Sequence, residues 1–427
     1  MTNSPTNLFD ELQWRGMVYD ATEGLRDLLA GERVTAYIGF DPTASSLHVG
    51  SLLTMMGLAR LQRFGHSPIA IVGGGTGMIG DPSGKSQERQ LLSREQIDEN
   101  VAGIRAQLAR VLDFDARPNP ARIINNADWL AGFDLLGFLR DTGKYFTVNY
   151  MLQKEAVSRR LESEEGISFT EFSYPLLQAR DFLELFDRHQ CKLQMGGSDQ
   201  WGNITAGTDL IRRLRGTKAH GLVWPLMKTS SGAKFGKTET GTVWLDAART
   251  SPFRFYQFWL NTDDRDVISY LKFFTFLTRE EIAALEETAS AAPERREAQR
   301  ALAREVTTLV HGQEQLARAE HASSLLFGED IATLAVEDVL AVFEDVPSTE
   351  LPAAEIAEGI GMVDLVARVQ LAASKSEARR LVQAGGVYVN NRRVSDPQAR
   401  LTRDQAIGGR LFVLRKGQKQ NHLVRLT

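Results

Sequence analysis

Two short motifs combine histidine, glycine, lysine and hydroxyl side chains in patterns suited to phosphate binding. HVGS at residues 48–51 follows an apolar segment and opens a helical pattern, and a helix N-terminus attracts anions. KFGKT at residues 234–238 places two lysines and a threonine in one short loop. Each motif alone is also typical of a capped helix or an exposed basic turn, so the function depends on what else lies nearby.

A long glycine-rich loop follows the predicted strand 67–73. GTGMIG at 75–80 resembles a dinucleotide fingerprint, but the loop continues where that fingerprint requires a helix. GDPSGKS at 80–86 has three residues between its glycines where a Walker A loop has four. We therefore reject a nicotinamide site and an ordinary P-loop. The loop still offers backbone N–H groups and the cations Lys85 and Arg89 to a phosphate.

A predicted helix that begins after a Ser173 cap carries polar side chains along the edge of its apolar face. At about 100° per residue, Tyr174, Gln178 and Asp181 fall within roughly 60° of one another. Unpaired polar groups at a buried edge are costly, so these side chains indicate either a ligand or satisfaction by neighbouring backbone. Pro175 is compatible with this helix only in its first turn.

The elements that must position these residues alternate between short apolar runs and longer helical patterns. This alternation predicts an α/β fold with a parallel sheet and helices on both faces. One predicted helix covers 48–64, and another opens with Ser93 and Gln96 in capping-box spacing. Ligands in such folds bind outside the carboxyl ends of the strands. The predicted strands are 35–40, 67–73, 122–125, 191–195 and 222–227.

Composition narrows the class of protein. With 427 residues, 43% hydrophobic and 24% charged, the chain is long enough for two or three folded domains and is not of a disordered or fibrous type. Its one cysteine excludes a disulfide framework, and its seven scattered histidines argue against a dedicated zinc site, so no metal ligands are predicted. The absence of a long apolar run predicts a cytoplasmic protein that does not bind membranes.

The charge is distributed unevenly along the chain. Residues 361–427 contain thirteen Lys and Arg but four acidic residues, although the whole chain has a net charge of −4. A basic module of this size suggests a polyanionic partner such as RNA. We predict four segments: a Rossmann-like catalytic domain at 1–250, an all-helical domain at 251–343, a linker at 344–360, and a small α+β RNA-binding domain at 361–427.

Five segments in this order resemble the bacterial tyrosyl-tRNA synthetases of the class I aminoacyl-tRNA synthetase family. They are YIGFDPTASSLHVG, GGGTGMIGDPSGK, SYPLLQARD, QMGGSDQWGNITAG and KFGKTETGTVWLD. The basic module is similar to the small RNA-binding domain shared by a ribosomal small-subunit protein and pseudouridine synthases. The resemblance implies activation of L-tyrosine by ATP with release of pyrophosphate, followed by transfer of tyrosine to the terminal ribose of tRNA(Tyr).

The resemblance also implies a pocket that recognises both ends of tyrosine. Phenylalanine would leave the polar groups at the phenol end unpaired, and this family is itself the standard illustration of that kind of discrimination. The pocket would comprise Tyr37 and Asp181 at the phenol, Asp81, Tyr174 and Gln178 at the ammonium group, and Gln200 near the carboxylate.

ATP, together with Mg²⁺, is implied at the phosphate-binding motifs. Two positions depart from the family pattern, because Ser51 replaces a frequent histidine and Ile38 stands where some members carry a polar ribose contact. The adenylate and ATP would contact Gly39, Asp41, His48, Gly50, Ser51, Gly197, Asp199 and Lys237. The catalytic groups on the phosphates would be Thr43, His48, Lys85, Arg89, Lys234, Lys237 and Thr238.

The resemblance further implies a homodimer, with an interface insertion near residues 130–160, and a tRNA bound in part by residues 361–427. Three other interpretations remain open at this point. They are a tryptophanyl-tRNA synthetase, a small-molecule nucleotidyltransferase with an HxGH-type site, and a non-catalytic RNA-binding protein on the same scaffold. The basic module argues against the second, and the retained lysines and polar stripe argue against the third.

Overall fold

The first of two structural units, Met1–Gly312, is built on a six-stranded sheet. The strands of this unit are β1 (Asp20–Ala21), β2 (Thr35–Phe40), β3 (Ser67–Val72), β4 (Arg122–Asn125), β5 (Cys191–Gly197), β6 (His220–Trp224), β7 (Lys237–Thr238) and β8 (Gly241–Thr242). The sheet order is β1-β6-β5-β2-β3-β4, and β2 to β6 run parallel. β3 and β4 lie on one side of β2, and the later strands β5 and β6 lie on the other side. The strand order therefore reverses between β2 and β5, where ligands bind in folds of this class.

Fourteen helices accompany this sheet in the described part of the unit. The helices after residue 251 pack around a cluster of aromatic side chains that includes Phe255, Trp259 and Phe274. The helices are α1 (Leu8–Trp14), α2 (Leu25–Gly31), α3 (Val49–Arg63), α4 (Arg94–Leu108), α5 (Ala127–Leu130), α6 (Leu135–Asp141), α7 (Val148–Leu152), α8 (Glu155–Leu161), α9 (Phe169–His189), α10 (Trp201–Arg215), α11 (Pro252–Leu260), α12 (Val267–Phe274), α13 (Arg279–Ala291) and α14 (Glu297–His311).

The structure is a computed structural model, and no helix in its described part is long and apolar enough to cross a bilayer. It describes residues 7–83, 92–162, 166–230, 232, 235–238, 241–327, 331, 336, 339–340, 343, 346–417 and 420–427.

The predicted parallel sheet with helices is confirmed, and several element boundaries agree closely. β2 and β4 have the predicted bounds, and the capping box of Ser93 and Gln96 is present at the start of α4. The last predicted strand, 222–227, is displaced toward the N-terminus, since the observed β6 extends from His220 to Trp224. Every residue of β6 is buried, so the polar His220 could not be recognised as a strand residue from its hydropathy.

The start of α9 differs from the prediction. The helix begins after Ser168, whose hydroxyl accepts a hydrogen bond from the backbone N–H of Glu171 at 3.2 Å, and Pro175 lies inside the helix rather than in its first turn. The prediction of a Ser173 cap was therefore wrong. Ser168 and Glu171 have the spacing of a capping box, which is the sequence signal that identifies the true start.

The second unit, Gln313–Thr427, contains a five-stranded sheet and a two-stranded sheet. Its elements are α15 (Gln313–Phe327), β9 (Ser348–Leu351), α16 (Ala353–Ile356), β10 (Ile360–Gly361), α17 (Met362–Arg368), α18 (Lys375–Gln383), β11 (Val387–Val389), β12 (Arg392–Val394), β13 (Arg400–Leu401), β14 (Leu411–Lys416) and β15 (Gln420–Leu426). The larger sheet has the order β12-β11-β14-β15-β9, and β10 pairs with β13 in the smaller one. The core of the unit is formed by side chains from the larger sheet and from the helices against it.

The interval 344–360 was expected to be a linker, but its described residues, 346–360, belong to this second unit. β9 pairs in parallel with β15, and Leu351 and Ile356 are fully buried in the core of the module. The acidic and proline-bearing composition resembled that of a linker, but β9 is held by its pairing with β15, whose residues lie about 75 positions later in the chain. The other predicted domain boundaries, at 250 and 343, stay predictions, since the two units divide after Gly312.

Candidate active site

The carboxyl end of β2 opens to solvent at Gly39, and we call the region between this end, the start of α3 and the polar edge of α9 the crevice. Gly39 is exposed although the three residues before it and Phe40 after it are buried, and a side chain built at Gly39 would meet no atom within 4 Å. The strand then leads directly to Asp41. A ligand can therefore approach the backbone of Gly39 closely, at the point where the strand order reverses.

His48 forms the cap of α3 beside this crevice. Its Nδ1 accepts a hydrogen bond from the backbone N–H of Gly50 at 3.0 Å, and its ring lies edge-on to Trp244 with 6.1 Å between centroids. The donated N–H fixes Nδ1 as an acceptor, so the neutral ring carries its proton on Nε2. Ser51 lies in the first turn of α3 and is half-buried. The HVGS motif thus presents a helix N-terminus and an oriented imidazole.

The KFGKT loop lies against the HVGS motif. Gly236 has a φ of 80°, and a Cβ at this position would lie 2.7 Å from Cγ2 of Val49, so both the backbone conformation and the packing favour glycine. The backbone N–H of Val243 donates to the carbonyl of Gly236 at 3.1 Å, and that of Val49 donates to the carbonyl of Val243 at 3.0 Å. These bonds connect the strands after the loop to the start of α3.

Phe235 fixes the same loop to the helical part of the unit. It is 5% exposed, stacks on Phe274 with 5.4 Å between ring centroids, and contacts Tyr270 edge-on at 5.1 Å. Two further rings, those of Phe258 and Trp259, lie within 6 Å of it. The motif is therefore anchored by an aromatic side chain placed between its two lysines.

The deep end of the crevice holds a buried carboxylate and a buried phenol. Asp181 of α9 accepts hydrogen bonds from Nε1 of Trp129 at 2.7 Å and from Nδ2 of Asn126 at 2.9 Å, yet burial raises its pKa to about 7. Tyr37 packs edge-on against Phe182 with 5.3 Å between centroids. Burial, with a smaller contribution from the charge of Asp181, raises the pKa of Tyr37 well above its usual value. Tyr37 is therefore a neutral hydrogen-bonding group.

Tyr174 lies on the same helix and faces the end of β2. Its hydroxyl donates to both carboxylate oxygens of Asp41 at 3.3 Å. Its pKa is raised well above the usual value, first by burial and then by the charges of Asp41, Asp81 and Asp181. The hydroxyl of Tyr174 remains protonated and is surrounded by carboxylates, an arrangement that suits a cationic ligand group.

A network of polar side chains lies in the same crevice, near Tyr174. Nε2 of Gln200 donates to Asp81 at 2.7 Å, and Nε2 of Gln178 donates to Oε1 of Gln200 at 3.2 Å. Asn203 donates to Oε1 of Gln178 at 3.0 Å and, more weakly, to Ser83 at 3.3 Å. These side chains come from α9, α10 and the loops after β3 and β5, so only the folded sheet assembles them.

Comparison with known proteins agrees with this geometry. A family model described as tRNA synthetases class I (W and Y) matches residues 29–328, and one described as the Tyrosine--tRNA ligase SYY-like C-terminal domain matches 338–424. The Tyrosine--tRNA ligase of Roseiflexus castenholzii is 57% identical over 423 residues, covering 99% of this chain and all of that protein. The Geobacillus kaustophilus protein of the same name is 53% identical, covering 98% and 99%. The chain belongs to the tyrosine–tRNA ligase family.

Solved structures extend the likeness to the fold. A C-terminally truncated mitochondrial tyrosyl-tRNA synthetase from Aspergillus nidulans has a TM-score of 0.69 at 33% identity and covers 75% of this chain and 94% of that one. The tryptophanyl-tRNA synthetase of Plasmodium falciparum, at 16% identity and a TM-score of 0.53, shares the fold alone; 78% of this chain and 87% of that one are covered. The predicted family, fold class and ligase type of enzyme are confirmed.

The structure brings most predicted site residues of this family member to one crevice. Thr43 is exposed and its backbone N–H donates to the carbonyl of Asp41 at 2.9 Å. Asp199 follows β5, where a side chain on Gly197 would lie 2.5 Å from its Oδ1. Lys85, Arg89 and Lys234 lie outside the described residues, and of Lys237 and Thr238 the backbone alone is described, as β7.

Sequence reasoning missed the side chains that hold the predicted ones in place. Asn126 joins three elements, because it donates to Asp181 and to Thr76 at 2.9 Å each and accepts from the backbone N–H of Gly75 at 2.8 Å. Trp129 and Asn203 were missed as well. Asn126 comes directly after β4, at the carboxyl edge of the sheet, and that position was a signal that could have revealed it.

Proposed function

We propose that this chain joins L-tyrosine to ATP to form tyrosyl-adenylate, releases pyrophosphate, and then transfers the tyrosyl group to the terminal ribose of tRNA(Tyr). The observation that supports this most strongly is the single crevice with two chemically different ends. Asp181 and Tyr37 lie at its deep end, and the HVGS and KFGKT motifs lie together at its open end.

ATP–pyrophosphate exchange measured with each of the twenty amino acids tests this proposal directly. We expect exchange with tyrosine and none above background with tryptophan. Exchange that depended on tryptophan would favour a tryptophanyl-tRNA synthetase, and exchange with no amino acid would favour a non-catalytic protein. Charging of tRNA(Tyr) then tests the second step.

In the proposed complex, the phenol of the substrate lies between Tyr37 and Asp181. Both are buried among apolar residues, so a substrate without a hydroxyl gains no hydrogen bond there. The ammonium group of the substrate lies among Asp81, Tyr174 and Gln178, where it replaces part of the polar network described above. Gln200 is then released to contact the substrate carboxylate.

ATP would lie along the carboxyl ends of β2 and β5. The open backbone of Gly39 admits the adenylate, with Asp41 beside it and Asp199 and Gly197 at the ribose. His48, with Gly50 and Ser51 at the helix start, would contact the phosphates, and neutral Nε2–H of the imidazole is oriented to donate.

The chemistry needs positioning rather than proton abstraction. The tyrosine carboxylate is already ionised at neutral pH, so it attacks the α-phosphorus without a general base. Charge then develops on the departing pyrophosphate, where donors that contact it more strongly in the transition state lower the barrier. We assign this role to a set of seven residues: Thr43, His48, Lys85, Arg89, Lys234, Lys237 and Thr238.

Mg²⁺ would enter with ATP. No cluster of three or more metal-ligating side chains occurs in the part of the chain that the structure describes. This fits a cation that bridges phosphate oxygens and keeps several water ligands, which is the usual mode for Mg²⁺ with nucleotides. Its contribution would be neutralisation of phosphate charge.

The basic module 361–427 would bind the tRNA backbone. A groove in this module is lined by Lys375, Arg379 and Arg380 of α18 and by Arg400, and among its described lining residues the one acid is Asp364. The three side chains of α18 are exposed along one helix, an arrangement that suits successive phosphates.

We further propose that the enzyme acts in the cytoplasm.

Replacing Lys375, Arg379 and Arg380 together by alanine should weaken tRNA binding and leave tyrosine-dependent pyrophosphate exchange unchanged. The logarithm of the association constant falls linearly with the logarithm of the salt concentration, and each phosphate contact contributes about 0.7 to 0.9 to the steepness of that line. The line should therefore become less steep by about two to three in the triple variant. Filter binding over a salt series measures this. Arg368→Ala is the matched control, because Arg368 is a basic residue of the same module that does not line the groove and pairs with Glu355, whereas Lys375 lines the groove and pairs there with Asp364 at 2.7 Å. An unchanged slope in the triple variant would exclude the groove.

A homodimer is the proposed assembly, with the interface near residues 130–160, as predicted, and with the exposed Phe169 added to it. Ten large apolar side chains are exposed among the described residues, and seven of them lie between 135 and 169. A concentration of exposed apolar side chains in one stretch of the chain is typical of an interface, and a second copy of the chain is the simplest self-complementary partner. The seven are Leu135, Leu136, Leu139, Val148, Leu152, Leu161 and Phe169.

Leu136→Glu should convert the dimer into a monomer at micromolar concentration, because a buried unpaired charge opposes association. Leu136 is 77% exposed, so the substitution should leave the folded monomer intact. Sedimentation equilibrium measures the mass. Tyr19→Glu is the control, since Tyr19 is 68% exposed but lies outside this surface, and a dimer that persists in Leu136→Glu would place the interface elsewhere.

A further inference from the structure

A second cavity lies along the free edge of β4, at the end of the six-stranded sheet. β4 is the last strand in the sheet order, so one of its edges has no partner strand in the described part of the chain. The cavity contacts Arg122, Ile123 and Ile124 in succession. Successive side chains of a strand point to opposite faces, so a cavity that contacts all three lies along the edge.

This cavity is large enough for a small molecule and is separate from the residues assigned to the reaction. Its volume is about 570 Å³, which is within the range of small-molecule sites. None of the residues assigned above to tyrosine or ATP is among its described lining residues. Any ligand that it holds is therefore additional to the two substrates.

The wall of the cavity is apolar and partly aromatic. Ile123 and Ile124 are only half-buried, although the strands of parallel sheets are usually covered on both faces. Phe114, also half-buried, and Trp129 line the same cavity. Nε1 of Trp129 donates to Asp181 at 2.7 Å, so the indole ring lies between the cavity and the deep end of the crevice. A flat apolar ligand would cover this surface.

The charged side chains around the wall are mostly basic. They are Arg105, Arg122, Arg188 and one acid, Asp128. Arg188 is paired with Glu184 at 2.8 Å. Arg122 donates to Nδ1 of His189 at 3.2 Å, and neither Arg122 nor Arg105 has a carboxylate partner among the described residues. Two guanidinium groups beside an apolar wall therefore keep donors for an anion, and hydrogen bonds between ionised groups are among the strong ones.

The imidazole of His189 shows that the arginine charges act at one place. Its pKa is lowered first by burial and then by the charges of Arg122 and Arg188. The ring is therefore neutral at neutral pH and adds no charge of its own. With one aspartate against three arginines, the lining has an excess of positive charge.

We propose that this cavity binds a small aromatic anion, whose ring lies against Ile124 and Trp129 and whose anionic group accepts hydrogen bonds from Arg105 and Arg122. The shape of the wall selects a planar ring, and the unpaired guanidinium groups select a negative charge. This site goes beyond the proposed function and does not depend on it.

Calorimetric titration of the full chain with naphthalene-2-sulfonate tests the proposal. Its neutral counterpart, 2-(methylsulfonyl)naphthalene, has the same ring and nearly the same size but no charge. We expect the sulfonate to bind at one site per chain and the sulfone to bind about tenfold more weakly or worse, because it lacks the charge-assisted hydrogen bonds. Equal affinities for the two probes, or no binding of the sulfonate, would overturn the proposal.

Arg105→Met and Arg122→Met locate the bound probe. Both arginines are exposed, so the substitutions should leave the fold intact, and each should weaken sulfonate binding about tenfold or more. Arg265→Met is the matched control, because Arg265 is 65% exposed, pairs with Asp263 and does not line the cavity; its affinity for the sulfonate should be unchanged. An affinity that both cavity variants retain would place the probe elsewhere, the crevice included, and would overturn the site.

Discussion

Lys237→Ala is expected to slow the formation of tyrosyl-adenylate by about 10²- to 10³-fold, while the affinity for tyrosine changes little. The reason is that the charge of Lys237 belongs to the phosphate-binding loop and not to the tyrosine pocket. The KFGKT loop lies at the open end of the crevice, against the start of α3, and the tyrosine pocket lies at the deep end. A lysine that contacts the pyrophosphate gains most of its interaction as charge develops there, so its loss affects the rate and spares substrate binding.

Stopped-flow measurement of adenylate formation, with equilibrium dialysis of tyrosine, separates these two effects. Lys192→Ala is a suitable control. Lys192 lies near the start of β5, at the opposite end of the strand from the crevice, and pairs with Glu32 on the surface. A rate of activation in Lys237→Ala equal to that of the unaltered protein would remove Lys237 from the phosphate site.

Tyr37→Phe is expected to reduce discrimination between tyrosine and phenylalanine by about 10- to 100-fold. The substitution removes one buried oxygen that has no partner among the described residues of the free protein, so the fold should lose no hydrogen bond. In the complex it removes one donor to the phenol, and a hydrogen bond of this kind is worth about 1–3 kcal/mol when its loss leaves a buried partner unpaired. The ratio of kcat/KM for the two amino acids in pyrophosphate exchange measures the effect.

Tyr270→Phe provides a matched control for that experiment. Tyr270 is also buried, at 5% exposed, and its hydroxyl likewise has no partner among the described residues, but it lies in α12 against Phe235. Tyr270→Phe should leave the ratio of kcat/KM for tyrosine and phenylalanine unchanged.

Asp181→Ala should also reduce discrimination between the two amino acids, and it should lower the stability of the fold, because Asn126 and Trp129 then lose their acceptor. Equal ratios in Tyr37→Phe and the unaltered protein would remove Tyr37 from the phenol site.

Part of the candidate site could be predicted because local sequence patterns determine it. The polar stripe of Tyr174, Gln178 and Asp181 follows from helical periodicity alone, whatever the exact start of the helix. The family itself was recognised from ordered motifs, and the comparisons confirm it. The error at Ser173 did not affect the stripe, because a shifted helix start leaves the angles between residues of the same helix unchanged.

The rest depends on pairs of residues that are distant in the chain. Nothing in the sequence near Asn126 shows that its amide reaches Asp181, 55 residues later, and nothing near Gln194 shows that its neighbour in the sheet is Tyr37. The same is true of Leu351, whose burial depends on the pairing of β9 with β15. Strand order and register create these contacts, and neither is encoded by local propensity.

The sequence by itself therefore determined which residues could bind phosphate and which polar side chains share one edge of α9, since residue type and helical periodicity are local properties. The assignment of phenol and ammonium groups to that pocket came from the resemblance of five ordered motifs to a known family. Tertiary structure alone decided that Gly236 lies against Val49, that Phe235 enters the aromatic cluster of α11 and α12, and that Asn126 and Trp129 donate to the carboxylate of Asp181. The physical reason is that hydrogen-bond satisfaction and burial depend on every group packed around an atom, and the parallel sheet brings those groups together from distant segments.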